Sequence, residues 1–153
     1  MRAAVPSCEP WLDTSGTAVD FDTMEIDLAI IYAEAAPEGC ESMLIAEDCL
    51  SPVATPTLAK TLGDPSDVLR AALIHDERST GWVDWLRSVG VNADGPWHGA
   101  NFSDSALAAA ESGQGVALGS LILAKAALTA GDLVQPYDHI LRNGRAWYAV
   151  STR

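Results

Sequence analysis

The sequence predicts an α/β fold in which most strands pair in parallel. Strand and helix signals alternate along the 153 residues, and this alternation is typical of helices that connect parallel strands. Residues 26–32 form a nearly continuous apolar run, which indicates a strand covered on both faces. Hydrophobic residues make up 48% of the chain, enough for a real core. The length suits one ordinary domain or two small lobes that share one chain.

Residues 44–46 and 52–54 look like two further strand pieces. Each of the next two helical segments opens on a polar residue followed by proline, Thr55-Pro56 and Asp64-Pro65. The polar side chain can accept a hydrogen bond from a free N–H of the first turn, and proline has no N–H to leave unpaired there. Both pairs therefore predict the start of a helix.

The clearest helix covers residues 80–89. Its apolar residues recur at the spacing of one helix face: Trp82, Trp85, Leu86 and Val89. Gly90 then supplies a left-handed cap at the C-terminus. A tryptophan stripe can serve as a platform for a cofactor or a sugar, but at this spacing core packing is the better interpretation.

The second half of the chain continues the alternation with a strand at residues 97–102, a helix at 105–112, a strand at 115–118, a helix at 121–130 and a strand at 146–151. The cluster Gly113-Gln114-Gly115 could suggest a dinucleotide-binding fingerprint, but that motif follows a strand and opens a helix. Here a helix ends and a strand begins, so we predict a tight helix-to-strand turn. Gly131 is expected to cap the C-terminus of the next helix, as Gly90 does for the helix at 80–89.

The charge of the chain excludes one class of partner. Nine basic residues against 21 acidic residues give a net charge of −12, and no segment clusters Lys or Arg. Affinity for a duplex depends on neutralising its phosphates with basic side chains. The chain is therefore expected to repel nucleic acid, and an anionic membrane surface as well.

Compartment signals favour the cytoplasm. No apolar run approaches the roughly 20 residues that span a bilayer, and residues 1–11 lack the apolar stretch of a secretory signal. Three cysteines, Cys8, Cys40 and Cys49, form no C-x-x-C pair, which favours a reducing compartment. We expect them to be buried or incidental thiols rather than metal ligands.

Catalytic and metal-binding motifs are not found. The sequence has no G-x-S-x-G elbow, and His75, His98 and His139 lack the spacing of a zinc motif. The run His75-Asp76-Glu77 contains metal-binding residue types, but consecutive residues of an extended segment point to opposite sides. We therefore expect no catalytic residue, no metal and no cofactor.

A polar segment at residues 101–105 lies at a strand-to-helix junction. A helix N-terminus presents unpaired N–H groups and partial positive charge, which suit a carboxylate or another polar ligand group. The serines of this segment can cap the helix or bind such a ligand. Considered alone, the segment favours capping.

Several short segments follow one another in an order typical of one family. They are Ala18-Val19-Asp20-Phe21, Glu25 to Ile30, Pro52 to Pro56, Leu73-Ile74-His75, Trp82-x-x-Trp85-Leu86 with Gly90, Phe102 to Ser105, Gly113 to Leu118, Gly131 to Val134, and Trp147-Tyr148. From about Glu9 to its end, the chain resembles the effector-binding domain of LysR-type bacterial transcriptional regulators. The subgroup resembled contains the glycine-cleavage-system activator and the regulators of chromosomal β-lactamase.

The resemblance implies a two-lobed fold of the type 2 periplasmic-binding-protein kind, with a small metabolite bound between the lobes. Residues 1–51 and 136–153 would form lobe I, and residues 52–135 would form lobe II. Two strands would cross between the lobes, near residues 51–55 and 133–137. The first strand and helix of lobe I are missing from the sequence, so this lobe is expected to be incomplete. The winged helix-turn-helix domain that binds DNA is also absent.

Carried over by position, the resemblance implies seven ligand-binding residues on the two lobes. They are Tyr32 and Glu34 after the first-lobe strand, Thr55 past the first crossing, Phe102, Ser103 and Ser105 at the second-lobe helix N-terminus, and Trp147 on the closing strand. The subgroup often has Arg-Tyr-Gly where this chain has Ile31-Tyr32-Ala33. The resemblance therefore does not indicate a specific anionic ligand.

The function implied by the resemblance is metabolite sensing without catalysis. Such a domain pairs with itself and reaches DNA only through a domain absent from this sequence. Two other classes stay open. A free-standing solute-binding protein would need an export signal and an intact first lobe, and a small hydrolase or transferase would need a nucleophile with a base beside it.

Overall fold

The computed structural model describes residues 11–14, 18–75, 81–94, 97, 99–101 and 106–152. The strands within these residues are β1 (Ala29–Ala33), β2 (Glu41–Val53), β3 (Leu73–His75), β4 (Gly99–Asn101), β5 (Val116–Ser120) and β6 (Leu141–Ser151). The α-helices are α1 (Pro56–Ala59), α2 (Gly81–Ser88), α3 (Ala106–Glu111) and α4 (Lys125–Ala130), and a 3-10 helix covers Pro65–Arg70. No helix of the described residues is long and apolar enough to cross a bilayer.

The strands form one mixed sheet in the order β1-β6-β2-β5-β3-β4. The pairs β1–β6, β6–β2 and β2–β5 are antiparallel, and only the pairs β5–β3 and β3–β4 are parallel. The prediction of mainly parallel pairing is therefore wrong. Neighbouring parallel strands need a crossover connection, usually a helix. Helices α2 and α3 lie between the parallel strands of the second half, whereas the closing strand β6 inserts between β1 and β2.

Strand β1 is less buried than its apolar sequence predicted. It lies at one end of the sheet, and β6 is its one partner strand among the described residues. Ala29 is buried, but Ile30 is 64% exposed, and Leu28, just before the strand, is 56% exposed. The expectation of a strand covered on both faces is therefore wrong, because continuous apolar sequence does not by itself supply a second layer.

Strand β2 joins two segments that were predicted as separate strand pieces. It runs for 13 residues and changes partner along its length. Its first part pairs with β6, Leu50 pairs with both Leu141 of β6 and Ser120 of β5, and the last residues pair with β5 alone. One strand therefore connects the antiparallel end of the sheet to the rest.

Helix α2 supplies the largest side chains of the core. Trp82, Trp85 and Leu86 are fully buried, and the two indole rings meet edge to face with their centroids 5.9 Å apart. Trp82 Nε1 donates a hydrogen bond to the Ile74 carbonyl at 3.0 Å. Removing a buried aromatic side chain costs about 3–5 kcal/mol. The predicted packing role of this stripe is confirmed, and Gly90 has the expected positive φ of 76°.

Both predicted helix starts are confirmed. Thr55 caps α1 by accepting a hydrogen bond from Leu58 N, with Pro56 in the first turn. Asp64 caps the 3-10 helix, where the backbone N–H and the hydroxyl of Ser66 both donate to its carboxylate. These bonds favour the charged carboxylate and lower the pKa of Asp64, the backbone N–H having the larger effect.

Element boundaries differ from the predictions in the second half. The segment 121–124 is a turn, so α4 begins only at Lys125, and β6 begins at Leu141 rather than near residue 146. Strand β3 had not been predicted. Cys40 and Cys49 are half-buried free thiols, and Cys8 lies outside the described residues.

The helix-to-strand turn predicted at the glycine cluster is confirmed. Gly113 has a φ of 79°, and β5 begins three residues later. A Cβ on Gly115 would overlap the backbone carbonyl oxygen of Ala72, which accepts a hydrogen bond from Val116 N at 2.9 Å. Gly115 is therefore needed because another backbone segment passes directly over it.

Gly115→Ala is expected to destabilise the fold by about 1–3 kcal/mol, since the added methyl group must displace a backbone segment. Chemical denaturation followed by circular dichroism measures the change. Gly63→Ala is the matched control, because its Cβ would meet only Asp67 Oδ2, at 3.7 Å. Equal stability of the two variants would contradict the close approach at Gly115.

Candidate functional site

An aromatic pair lies on one face of the antiparallel end of the sheet. The register places Tyr32 of β1 opposite Trp147 of β6, and cross-strand partners share a face. The two rings are 4.9 Å apart between centroids and inclined by 34°. Both side chains are half-buried. Two of the predicted site residues, from opposite ends of the chain, are therefore in contact.

A buried polar network surrounds the Tyr32 hydroxyl. It donates a hydrogen bond to Asp48 Oδ2 at 2.7 Å and accepts one from Asn143 Nδ2 at 2.6 Å. The second oxygen of Asp48, Oδ1, accepts a hydrogen bond from Ser120 Oγ at 2.6 Å. Asp48 is 4% exposed, so its carboxylate depends on these donors in place of water. The four residues come from four different strands.

The environment of Tyr32 raises the pKa of its phenol to about 12. Burial is the largest cause, and the hydrogen bond to Asp48 acts in the same direction, while Asn143 and Arg145 oppose it. The phenol therefore stays protonated at neutral pH, and its O–H group is engaged in the hydrogen bond to Asp48. The single O–H donor of Tyr32 is therefore already used within the protein.

Glu34 joins this site through Arg145 of β6. The Arg145 guanidinium lies 3.6 Å from a Glu34 oxygen and 5.6 Å from the centre of the Tyr32 ring. The Glu34 side chain is 76% exposed, and an exposed ion pair contributes at most about 1 kcal/mol. The subgroup often has Arg directly before this tyrosine, where this chain has Ile31. Here Arg145, from the neighbouring strand β6, places a cation beside Tyr32 instead.

The remaining predicted residues are not brought to this pair by any described contact. The Thr55 side chain makes a local bond as the cap of α1. Phe102, Ser103 and Ser105 lie outside the described residues, and their expected role stays a prediction. Trp147 Nε1 is buried and has no hydrogen-bond partner within the described part of the chain.

Three residues of the network were missed by sequence reasoning: Asp48, Ser120 and Asn143. Asp48 carried a signal, because it is a carboxylate between two segments that were predicted as strand pieces. Ser120 and Asn143 carried none. Their partners lie 72 and 111 residues away in the sequence, so only the fold brings them together.

One serine and one histidine approach each other elsewhere. Ser88 Oγ lies 2.8 Å from His139 Nε2, but it also donates to the Trp85 carbonyl at 2.6 Å. A hydroxyl has one proton, so His139 Nε2 is left to act as the donor rather than as a base. The contact therefore fastens the end of α2 to the segment before β6. Among the described residues, no group of three or more His, Cys, Asp or Glu could hold a metal ion.

The comparison with known families is decisive. The model of the LysR substrate binding domain matches residues 1–153. The chain belongs to this family. The glycine cleavage system transcriptional activator of Escherichia coli is 33% identical over an alignment of 153 positions. The alignment covers 94% of this chain and 50% of that protein. The transcriptional activator AmpR of Enterobacter cloacae is 29% identical over 149 residues, 95% of this chain and 51% of that protein.

Solved structures agree with the family assignment. The AmpR effector-binding domain of Citrobacter freundii matches with a TM-score of 0.84 at 24% identity, over 98% of this chain and 76% of that one. The effector domain of AmpR from Pseudomonas aeruginosa matches with a TM-score of 0.82 at 25% identity, over 99% and 75%. The periplasmic-binding-protein-like α/β fold predicted for this LysR domain is confirmed. The chain spans about half the length of the curated relatives it matches, which are transcriptional activators.

Raised tyrosine pKa values predict alkaline sensitivity of this LysR domain. Burial, followed by Asp67 and Asp64, also raises the pKa of Tyr137 to about 12. A folded-state pKa above the ordinary value of 10.0 favours the neutral phenol in the folded protein. The resulting stability is fully present below about pH 10 and is lost as the pH rises toward 12.

Urea unfolding at about pH 9 and about pH 11 measures this effect. The parent should lose stability between the two values, and a Tyr32→Phe, Tyr137→Phe double variant should lose less. Equal losses in the two proteins would contradict the assignment.

Proposed function

We propose that this chain is the small-metabolite-sensing domain of a LysR-type transcriptional regulator. The match of its whole length to the LysR substrate binding domain carries the proposal. In this proposal it binds an effector between two lobes, is not an enzyme, acts in the cytoplasm and reaches DNA through a domain outside this sequence. The net charge of −12 supports the last point, since duplex binding requires basic side chains.

Residues 1–51 and 136–153 form lobe I in this proposal, and residues 52–135 form lobe II. The change of β2 from β6 to β5 at Leu50 supports the first crossing. At the same boundary, Ala54 and Val134 pair through two backbone hydrogen bonds of 3.1 and 2.8 Å. Two strands that pair side by side as they leave one lobe are suited to act as a hinge.

The proposed ligand site combines an aromatic surface with polar groups. Tyr32 and Trp147 supply the aromatic surface, with Glu34 beside them, and Thr55, Phe102, Ser103 and Ser105 supply the second-lobe side by analogy with the family. The contact between Tyr32 and Trp147 supports the first-lobe half of this assignment. Because the Tyr32 hydroxyl already donates to Asp48, stacking and van der Waals contact are expected to dominate ligand binding on the first-lobe side.

A ligand screen tests the proposal. Amino acids, small organic acids and cell-wall peptides are compared by thermal shift, and a few are expected to raise the melting temperature. A ligand that binds only the folded state adds roughly 2.7 kcal/mol of stability at a hundredfold excess over its Kd. Failure of every compound would count against sensing of these metabolite classes.

A confirmed ligand is then measured against a Ser103→Ala, Ser105→Ala double variant. Each lost neutral hydrogen bond costs about 0.5–1.5 kcal/mol, so the Kd should rise several-fold to a hundredfold. Ser112→Ala is the matched control, because Ser112 bonds to carbonyl groups of its own helix. Melting without ligand separates a loss of binding from a loss of stability. Unchanged binding by the double variant would remove these serines from the site.

Self-association is part of the proposed function. Ile30 and Met43 both align with Ala149 across β6, so their side chains share one face of the sheet, and they are 64% and 65% exposed. Exposed apolar surface of this kind recruits other chains. Residues 3–59 contain eleven acidic residues and no Lys or Arg, so two copies meeting here repel each other until salt screens the charge.

Light scattering should therefore show dimers or larger species whose fraction rises with salt. Ile30→Glu should reduce that fraction, because it places a further negative charge on the apolar face. Leu123→Glu is the matched control, since Leu123 is 58% exposed on the turn before α4 and gains the same charge. A monomer at every salt concentration would refute self-association of this chain.

A further inference from the structure

Asp48 occupies a junction that the ligand site alone does not explain. It lies on β2, two residues before Leu50, where that strand begins to pair with β5. One of its carboxylate oxygens is bonded to Tyr32 of β1 and the other to Ser120 of β5. Tyr32 belongs to the antiparallel end of the sheet. Ser120 is the last residue of β5, the strand that leads to α4. One buried carboxylate thus connects β1, at the antiparallel end of the sheet, with the end of β5.

Ser120 extends the connection to the start of α4. Its hydroxyl donates to Asp48 and lies 3.5 Å from Leu123 N, from which it accepts. Its carbonyl accepts a hydrogen bond from Ala124 N at 2.8 Å. A displacement of Ser120 therefore moves the turn at residues 121–124, which directly precedes α4.

The burial of Asp48 makes its two hydrogen bonds interdependent. Within the described residues its bonded partners are hydroxyl groups, and no Lys or Arg forms an ion pair with it. A buried carboxylate that loses one donor binds the remaining donor more strongly, since water cannot replace the lost one. A change in the hydrogen bond between Tyr32 and Asp48 therefore alters the strength of the bond between Asp48 and Ser120.

We propose that Asp48 is a positioning residue that couples the Tyr32–Trp147 pair to Ser120 and the start of α4. The inference rests on the proposed sensing function, in which a ligand contacts that aromatic pair. A ligand that shifts Tyr32 changes its hydrogen bond to Asp48, and Asp48 passes the change to lobe II. The same carboxylate holds the Tyr32 ring in place when no ligand is bound.

A double-mutant cycle tests the coupling without a ligand. Unfolding constants are measured for the parent, Tyr32→Phe, Ser120→Ala and the double variant. Independent sites are additive within about twofold in the unfolding constant. We expect a coupling beyond that limit, although Tyr32 and Ser120 are bonded to Asp48 and not to each other. In an Asp48→Asn background the coupling should disappear, because an amide presents only one acceptor oxygen.

A spectroscopic measurement separates coupling from a general effect on stability. With ¹³C-labelled tyrosine, the Cζ chemical shift of Tyr32 reports the hydrogen bond of its hydroxyl. Ser120→Ala should move this signal, and Ser112→Ala, another serine variant that loses a hydrogen bond, should not. The signal is assigned by its loss in Tyr32→Phe.

The outcomes decide the proposal whether or not every variant folds. An additive cycle together with an unmoved Tyr32 signal in Ser120→Ala overturns it. If Asp48→Asn does not fold, the cycle and the chemical shift in the parent background still give the answer. Because neither measurement needs a ligand, a failed ligand screen would count against sensing of the screened metabolite classes and leave the role of Asp48 to be judged separately.

Discussion

The continuity of β2 is the constraint on which the rest of the structure depends. Its 13 residues pair with β6 along the first part and with β5 along the last. Residues 51–54 are fully enclosed, and buried backbone groups must find hydrogen-bond partners within the protein. A strand that stopped at the junction would leave those groups unpaired. Because it continues, the antiparallel end of the sheet and the helix-covered end form one sheet, and Asp48 reaches residues from both.

Burying Asp48 opposes folding, and the network around it offsets that cost. A carboxylate removed from water is strongly unfavourable unless donors replace the water. Hydrogen bonds to a charged acceptor are stronger than neutral ones, and here they come from Ser120 and Tyr32. The same bonds determine what Tyr32 can do in a site. Its O–H group is already bonded to Asp48, so a ligand at the proposed site would contact its ring, which lies against Trp147.

The candidate site illustrates how far sequence reasoning reaches. Resemblance to the LysR family was enough to select Tyr32 and Trp147, which the sheet places in contact. It missed Asp48, Ser120 and Asn143, because a hydrogen bond between residues 72 or 111 positions apart leaves no periodic pattern in the sequence. The function of Thr55 was predicted twice, as a cap and as a ligand contact, and the structure bears on the cap alone.

The sequence by itself determined the features that depend on a few neighbouring residues. The caps at Thr55 and Asp64, the buried face of α2 and the turn at Gly113 all follow from local side-chain chemistry or helical spacing. Only the tertiary structure decided which strands pair. The apolar run of β1 could not reveal that it would pair with β6, more than 100 residues later. Strand pairing depends on long-range contacts, and apolar sequence states that a segment can be buried without stating what covers it.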